Sequence, residues 1–119
     1  MRLLVHLTVG VENPTKVSLA LLVAATAVSQ GHDVDVFVAG DGVAVLRPES
    51  LGAINGIGTG AAAEHLQKLR ATGARLFASK MSAAARGISE EMLREQGFAA
   101  APPTQLVELI ASADKVVVY

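Results

Sequence analysis

The sequence predicts a single three-layer α/β domain built on a parallel sheet of about five strands. Short β-branched runs alternate along the chain with Ala/Leu-rich windows of helical character, which is the pattern of βαβ units. The first strand, Arg2–Val9, is apolar nearly throughout, as in strands that are buried on both faces. The chain has 119 residues, no repeats and no long linker, so one domain is expected.

A buried helix is predicted after the first strand. Asn13 is its N-cap, Pro14 takes the first helical position, and Gly31 lies where a C-terminal cap belongs. The second strand follows, with valines alternating at positions 34, 36 and 38 before Gly40.

Residues 43–60 are the least regular segment. Pro48 and the glycines at 52, 56, 58 and 60 argue against a long helix, and we predict a mobile covering loop here. The glycine spacing superficially suggests a nucleotide-binding loop. It lacks both the preceding strand of a dinucleotide fingerprint and the Lys-Ser/Thr of a phosphate loop, so loop flexibility is preferred.

The second half continues the alternation. A helix over Ala61–Thr72 is closed by Gly73, Arg75–Ser79 is the third strand, and Ser82 is expected to cap a short turn over Ala83–Arg86.

The last elements are a helix, a strand, a helix and a strand. Ser89 caps the first helix and Gly97 ends it; the strand Phe98–Ala101 follows. Thr104 is predicted to cap the last helix, before a final strand over Lys115–Tyr119. The expected core face of that helix is formed by Leu106, Val107 and Ile110.

Composition excludes several classes of protein. The chain is 51% hydrophobic with a net charge of −1, which excludes a disordered chain and argues against a nucleic-acid partner. It contains no cysteine, and therefore no disulfide scaffold, thiolate zinc site or thiol nucleophile. The longest apolar stretch, Val17–Val28, is shorter than the roughly 20 residues of a membrane span. We expect a cytoplasmic protein without a membrane partner, metal or cofactor.

Three segments leave strand ends and are expected to converge. They are Gly10–Thr15, Gly40–Val43 and Ser79–Arg86. Open α/β sheets bind ligands beyond the carboxyl ends of their strands, where the strand order reverses. The fold class therefore predicts a pocket among these loops.

Four sequence patterns together resemble the DsrE/DsrF-like family, close to its small YchN-like members. The resemblance covers nearly the whole chain. The patterns are Gly10-x-Glu12-Asn13-Pro14-Thr15-Lys16, Gly31-His32-x-Val34-x-Val36-Phe37-x-Ala39-Gly40-Asp41-Gly42-Val43, Ala78-Ser79-Lys80-Met81-Ser82-Ala83-Ala84-Ala85-Arg86-Gly87 and Ala113-Asp114-Lys115-Val116-Val117.

The resemblance implies a flavodoxin-like parallel sheet and assembly into a homotrimer or a homohexamer, with a related subunit as a possible partner. Relatives in the sulfur-relay branch carry sulfur as a persulfide on a cysteine at a strand end. Carried over by position, Ser79 stands at that cysteine and Lys80 at the glycine that follows it. Met81, Ser82, Arg86 and Gly87 keep the family pattern.

The serine at position 79 decides the chemistry. A persulfide carrier needs a sulfur nucleophile, and a serine hydroxyl cannot hold sulfane sulfur. The chain is therefore not expected to carry sulfur itself. Either the site has kept a binding or structural role, or a different chemistry uses the same pocket.

A nucleophilic Ser79 would need a nearby base, and the chain offers His6, His32 and His65. We expect His6 to be a satisfied core histidine, His32 to lie in a turn and His65 on a helix surface. No Gly-x-Ser-x-Gly elbow surrounds Ser79. The preferred interpretation is that Ser79 is a small polar residue without a catalytic role, and no catalytic residue is assigned.

Lys80 is a candidate ligand for an anion, because it lies at a strand end beside a predicted helix start. A solvated lysine without a partner is the alternative. Arg86 either adds to the anion site or forms an ion pair with Glu12 or Asp41. Acid/base or metal chemistry is one interpretation of these two carboxylates, but satisfying loop amides is the commoner role and is preferred. The candidate ligand pocket comprises Glu12, Asn13, Asp41, Ser79, Lys80, Ser82 and Arg86.

Three functions remain open from the sequence. The first is a cysteine-less, oligomeric binding or accessory protein of sulfur-relay-like type. The second is a binder of a small anionic ligand at Ser79, Lys80 and Arg86. The third is an enzyme that uses Ser79. Oligomerisation is favoured because the nearly all-apolar helix over Val17–Val28 offers more apolar surface than a small sheet covers.

Overall fold

The computed structural model describes residues 1–119 as one three-layer α/β domain. The strands are β1 (Arg2–Leu7), β2 (Asp33–Val38), β3 (Asn55–Gly56), β4 (Gly60–Ala61), β5 (Arg75–Ser79), β6 (Ala99–Ala101) and β7 (Lys115–Val118). The helices are α1 (Pro14–Ser29), α2 (Pro48–Ala53), α3 (Ala62–Ala71), α4 (Lys80–Ala85), α5 (Glu90–Glu95) and α6 (Pro103–Ser112), with a short 3-10 helix over Gly40–Leu46. None of the helices combines the length and hydrophobicity needed to cross a membrane.

The main sheet has five parallel strands in the order β6-β5-β2-β1-β7, which confirms the predicted fold class. The chain moves outward from β1 to β6 and then returns to place β7 on the free side of β1. The sheet shares the three-layer parallel architecture of flavodoxin-like domains but has its own strand order. A separate two-stranded hairpin pairs β3 with β4.

Several predicted helix boundaries are confirmed. The Asn13 side chain accepts a hydrogen bond from the Lys16 amide at 3.2 Å, and Pro14 opens α1. Gly31 follows the end of α1 with a φ of +88°, a conformation that glycine adopts without strain. The prediction that Thr104 caps the last helix is wrong, because α6 begins at Pro103 and no side chain caps it. A proline at the first helical position has no N–H that a cap would have to satisfy.

The interpretation of residues 43–60 as a mobile loop is wrong. The segment folds into the 3-10 helix, α2 and the β3–β4 hairpin. Apolar side chains anchor it to the core, because each contributes surface that is removed from water. These buried residues are Val43, Val45, Leu46, Leu51 and Ile54.

The hairpin is fastened to α1 and α3 by polar contacts. The Ser18 hydroxyl, fully buried in α1, lies 2.7 Å from the Gly60 carbonyl oxygen, and the Ile57 amide donates to Thr15 Oγ1 at 3.0 Å. His65 Nε2 donates to the Thr59 carbonyl at 2.6 Å, since a carbonyl only accepts. His65 is 7% exposed, so the expectation of a surface histidine is wrong.

The two faces of the sheet are covered unequally. α1 and α3 pack on one face and complete a core of 25 buried residues. The other face buries only a cluster of four residues beneath α6: Leu4, Phe37, Ala101 and Leu109. The apolar helix α1 packs on β1 and β2 and is covered further by α3 and the hairpin, while Leu19 stays 36% exposed.

Four of the exposed apolar side chains lie on α6 and β7. Val107 and Val118 are 63% and 62% exposed, and Ile110 and Val116 are 45% and 39% exposed. The predicted core face of α6 is therefore wrong at Val107 and Ile110. We call the surface formed by these four residues the α6–β7 surface.

Candidate functional site

The loops after β1, β2 and β5 meet at the carboxyl edge of the sheet, where the fold class predicts a pocket. The loop after β1 approaches so closely that a Cβ on Gly10 would collide with the backbone of Asp41. Gly42 is equally confined, since its Cβ would lie 2.7 Å from the Leu7 carbonyl oxygen. These glycines allow two loops to pack backbone against backbone.

Ser79, rather than Ser82, begins the helix that follows β5. Its Oγ accepts a hydrogen bond from the Ser82 amide at 3.1 Å, and α4 starts at Lys80. The predicted cap is therefore displaced by three residues, because strand β5 passes directly into the helix. The Ser82 hydroxyl instead accepts the Gly40 amide at 2.9 Å and joins α4 to the end of β2.

Arg86 forms one of the two ion pairs expected for it. Its Nη2 lies 2.8 Å from Asp41 Oδ1, and its Nη1 donates to the Ser82 carbonyl at 3.1 Å. The Arg86 carbonyl in turn accepts from Arg47 Nη2 at 2.6 Å. Sequence reasoning missed Arg47, which falls in the segment interpreted as a loop.

Glu12 satisfies its own loop and does not join Asp41 in a carboxylate pair. Glu12 Oε1 accepts the Gly10 amide at 2.8 Å, in agreement with the loop role preferred from the sequence. The chain holds no cluster of three or more His, Cys, Asp or Glu side chains arranged to bind a metal ion.

Lys80 points away from the other candidate residues. Its Nζ lies 3.1 Å from Glu90 Oε1 on α5, so it is neither solvated without a partner nor directed at Arg86. The structure brings together Asp41, Ser79, Ser82 and Arg86 and places Lys80 in a separate contact. Sequence reasoning did not identify Glu90 as a partner of Lys80, so this contact was missed.

No histidine lies within reach of Ser79. His32 bonds to the Met1 amine at the opposite edge of the sheet, and His65 is held by the hairpin. His6 is two strands away from β5, which separates the backbones by roughly 10 Å. The Phe37 ring on β2 packs between His6 on β1 and Phe77 on β5, with its centroid 5.9 Å from that of the His6 ring and 6.4 Å from that of the Phe77 ring.

His6 is not the satisfied core histidine that was expected. Its ring packs edge-on against Phe37, and its Nε2 is buried without a hydrogen-bond partner. Burial lowers the pKa of His6, because the neutral ring is favoured where the charged ring loses its hydration.

Chemically, the site is a set of interlocked loop contacts. Ser79 Oγ is an acceptor for a helix amide, and the positive charge of Arg86 is matched by Asp41. A hydroxyl without a base in contact is not activated as a nucleophile.

The five-stranded parallel sheet with helices on both faces defines a small three-layer α/β protein. Its candidate site lies at the strand ends, where α4 starts directly after β5. The chain belongs to the DsrE/DsrF-like family, whose model matches residues 1–119.

Solved structures share this fold. YchN from Escherichia coli superposes with a TM-score of 0.75 at 21% identity, over 99% of this chain and 97% of that one. BT1422 from Bacteroides thetaiotaomicron, a conserved protein of unknown function, gives a TM-score of 0.73 at 12% identity over 98% and 94%. MTH1491 from Methanobacterium thermoautotrophicum, also a protein of unknown function, gives a TM-score of 0.67 at 18% identity, over 99% of this chain and 98% of that one. No functionally curated protein matches the chain.

Proposed function

We propose that this chain is an oligomeric binding or accessory protein of the sulfur-relay-like type that does not carry sulfur itself. The observation that carries this proposal is Ser79, which stands where the family resemblance places the persulfide cysteine. The chain contains no cysteine to replace it. Its hydroxyl is engaged as the cap of α4, at 3.1 Å from the Ser82 amide.

The chemistry of sulfur transfer explains why a serine in place of the cysteine matters. A persulfide forms when a thiolate takes up sulfane sulfur, and it is passed on by exchange with another thiolate. A serine hydroxyl stays protonated at neutral pH and forms no sulfur–sulfur bond. What the site retains is a rigid group of loops available for contact with another molecule.

Assembly is supported by the α6–β7 surface. α6 alone covers one face of the sheet and leaves Val107 and Val118 more than half exposed. Large apolar side chains left exposed on a small domain favour contact with another protein. A closed homotrimer or homohexamer, or a related subunit, would bury it, and closed symmetric assemblies are the usual form.

The other two functions receive less support from the contacts. An anion site around Ser79, Lys80 and Arg86 would need the two cationic side chains to converge, whereas Arg86 is held by Asp41 and Lys80 lies against Glu90 on α5. An enzyme that uses Ser79 would need a base, and the three histidines lie elsewhere.

Native mass spectrometry tests the assembly. We expect the wild-type protein to give a trimer or a hexamer, and Val107→Glu to dissociate it, because a buried unpaired carboxylate opposes association. Ile57→Glu is the matched control, since Ile57 is 89% exposed on the hairpin and lies outside the α6–β7 surface. A monomeric wild type, or equal dissociation in both variants, would contradict assembly through this surface.

Incubation with a persulfide donor tests the absence of sulfur transfer. The wild type is expected to gain no sulfur atom by intact mass, and Ser79→Cys provides the thiol-bearing comparison. Stable uptake of sulfur by the wild type would overturn the proposal.

A further inference from the structure

Helices α4 and α5 flank a largely apolar cavity that is open to solvent, and none of Asp41, Ser79 and Arg86 lines it. The cavity has a volume of about 320 Å³. Its floor is formed by Ala83, Ile88 and Leu93, which are at most 3% exposed, and Ala84 and Gly87 line its wall. Such a cavity is just large enough for a small ligand with a hydrocarbon part.

The ion pair between Lys80 and Glu90 lies along the edge of this cavity, since both side chains line it. Both also line a second cavity of about 500 Å³, which continues along the edge strand β6 past Ala99 and Pro102. The pair is therefore shared by two adjoining cavities, both of which are open to solvent and expose more apolar than polar surface. The side chains of Lys80 and Glu90 are 64% and 48% exposed, and exposed pairs of this kind contribute little and exchange partners readily.

Arg94 adds positive charge to the second cavity. It lines that cavity together with Lys80 and takes part in none of the ion pairs of the chain. Two cationic side chains and one carboxylate, that of Glu90, thus line the second cavity. Glu91 and Glu95, the other acidic residues of α5, line neither cavity.

We propose that this site binds an amphipathic monocarboxylate with a short to medium acyl chain. The hydrocarbon occupies the cavity between α4 and α5, and the carboxylate takes the place of Glu90 between Lys80 and Arg94. The apolar floor and the two cationic side chains beside it match the two ends of such a molecule. The site shares Lys80 with the pocket predicted from the sequence but includes none of Asp41, Ser79 and Arg86, and it does not depend on the proposed function.

A chain-length series gives the first test. Acetate, butyrate, hexanoate and octanoate are titrated into the full chain by isothermal calorimetry, with hexanol as the uncharged analogue. Each additional buried methylene is expected to tighten binding about fourfold until the cavity is filled, because it removes more apolar surface from water. Hexanol is expected to bind more weakly than hexanoate. Affinity that does not change with chain length, or absence of saturable binding by octanoate, would overturn the proposal.

Charge variants test the position of the carboxylate. Lys80→Gln and Arg94→Gln are each expected to weaken octanoate binding about tenfold, the loss of one charge-assisted hydrogen bond. Glu90→Gln is expected to tighten it severalfold, because Lys80 is released and a like charge is removed. Lys16→Gln, on the first turn of α1, is the control and should leave affinity unchanged. Unchanged or weaker binding by Glu90→Gln would place the carboxylate elsewhere.

A cavity-filling variant excludes adsorption to the α6–β7 surface. Ala84 is exposed and lines the cavity, so Ala84→Phe fills it without entering the core. Binding of octanoate should be lost while the melting temperature stays near that of the wild type. Val107→Glu should bind octanoate normally. The reverse pattern would assign binding to the α6–β7 surface and overturn the proposal.

Discussion

Two hydrogen bonds, of 2.6 and 2.8 Å, join the guanidinium of Arg75 to the carboxylate of Asp35 at the amino edge of the sheet. Only 1% of the Asp35 side chain is exposed, against 52% of that of Arg75. The hydrogen bond to Asp35 raises the pKa of Arg75. Arg2 approaches the same carboxylate at 3.5 Å, and the Phe77 ring supports the Arg75 guanidinium from 5.9 Å.

Removing either partner of this pair should have unequal effects. Arg75→Met leaves a buried carboxylate with only the longer contact to Arg2, and we expect a loss of about 3 kcal/mol of unfolding free energy. Asp35→Leu leaves a half-exposed arginine that water solvates, and should cost less. The double variant is expected to recover most of the loss. Urea denaturation measures all three, and equal losses for both single variants would contradict a buried-charge penalty.

The buried ring of His6 predicts loss of stability in acid. Its folded-state pKa is lowered by burial, so the unfolded chain binds a proton first as the pH falls below about 6.5. The free energy of unfolding should decrease from that pH towards the folded-state pKa, with its full value kept above 6.5. His6→Phe should flatten this part of the profile. His32→Gln, a half-exposed control in the turn before β2, should not.

The hydroxyl of Ser79 has a structural effect that can be measured. Ser79→Ala removes the cap of α4 and should lower the unfolding free energy by about 1 kcal/mol. Ser79→Asp retains an acceptor for the Ser82 amide and should restore most of it. Thermal or urea denaturation compares the variants. A Ser79→Ala protein as stable as the wild type would show that the cap contributes nothing.

Two glycines should respond in opposite directions to the same substitution. A Cβ on Gly42 would lie 2.7 Å from the Leu7 carbonyl oxygen, so Gly42→Ala should destabilise the protein by more than about 1 kcal/mol. Gly52, in α2, has open space around its Cβ position. Gly52→Ala should stabilise by up to about 1 kcal/mol, because alanine favours the helix. Melting temperatures that move together would contradict this contrast.

The sequence predicts the sheet well because its signals are local. Alternating apolar strands and helix caps such as Asn13 and Ser89 act within a few residues, and both caps are present as predicted. The prediction for residues 43–60 was wrong because this segment lacks such local signals. Its helices are too short to show periodicity, and they are held by long-range burial of Val43 and Leu51 rather than by propensity.

The candidate site could be predicted only in part. An ion pair between Arg86 and Asp41 was one of two alternatives that the strand-end loops allowed, and the other, with Glu12, did not form. The contact between Lys80 and Glu90 depends on how α5 folds back beside α4, which the spacing of residues along the chain does not specify. The placement of His6 likewise follows from Phe37 on a neighbouring strand.

The position of β7 beside β1 has a consequence for synthesis of the protein. Leu3 pairs with Lys115, and the Arg2 amide donates to Asp114 at 2.7 Å, so β1 completes its pairing only with residues more than a hundred positions further along the chain. Until residues 115–118 have been synthesised, β1 has an open edge on which another nascent chain can pair. The interval before β7 joins the sheet is therefore when aggregation through β1 is most favoured.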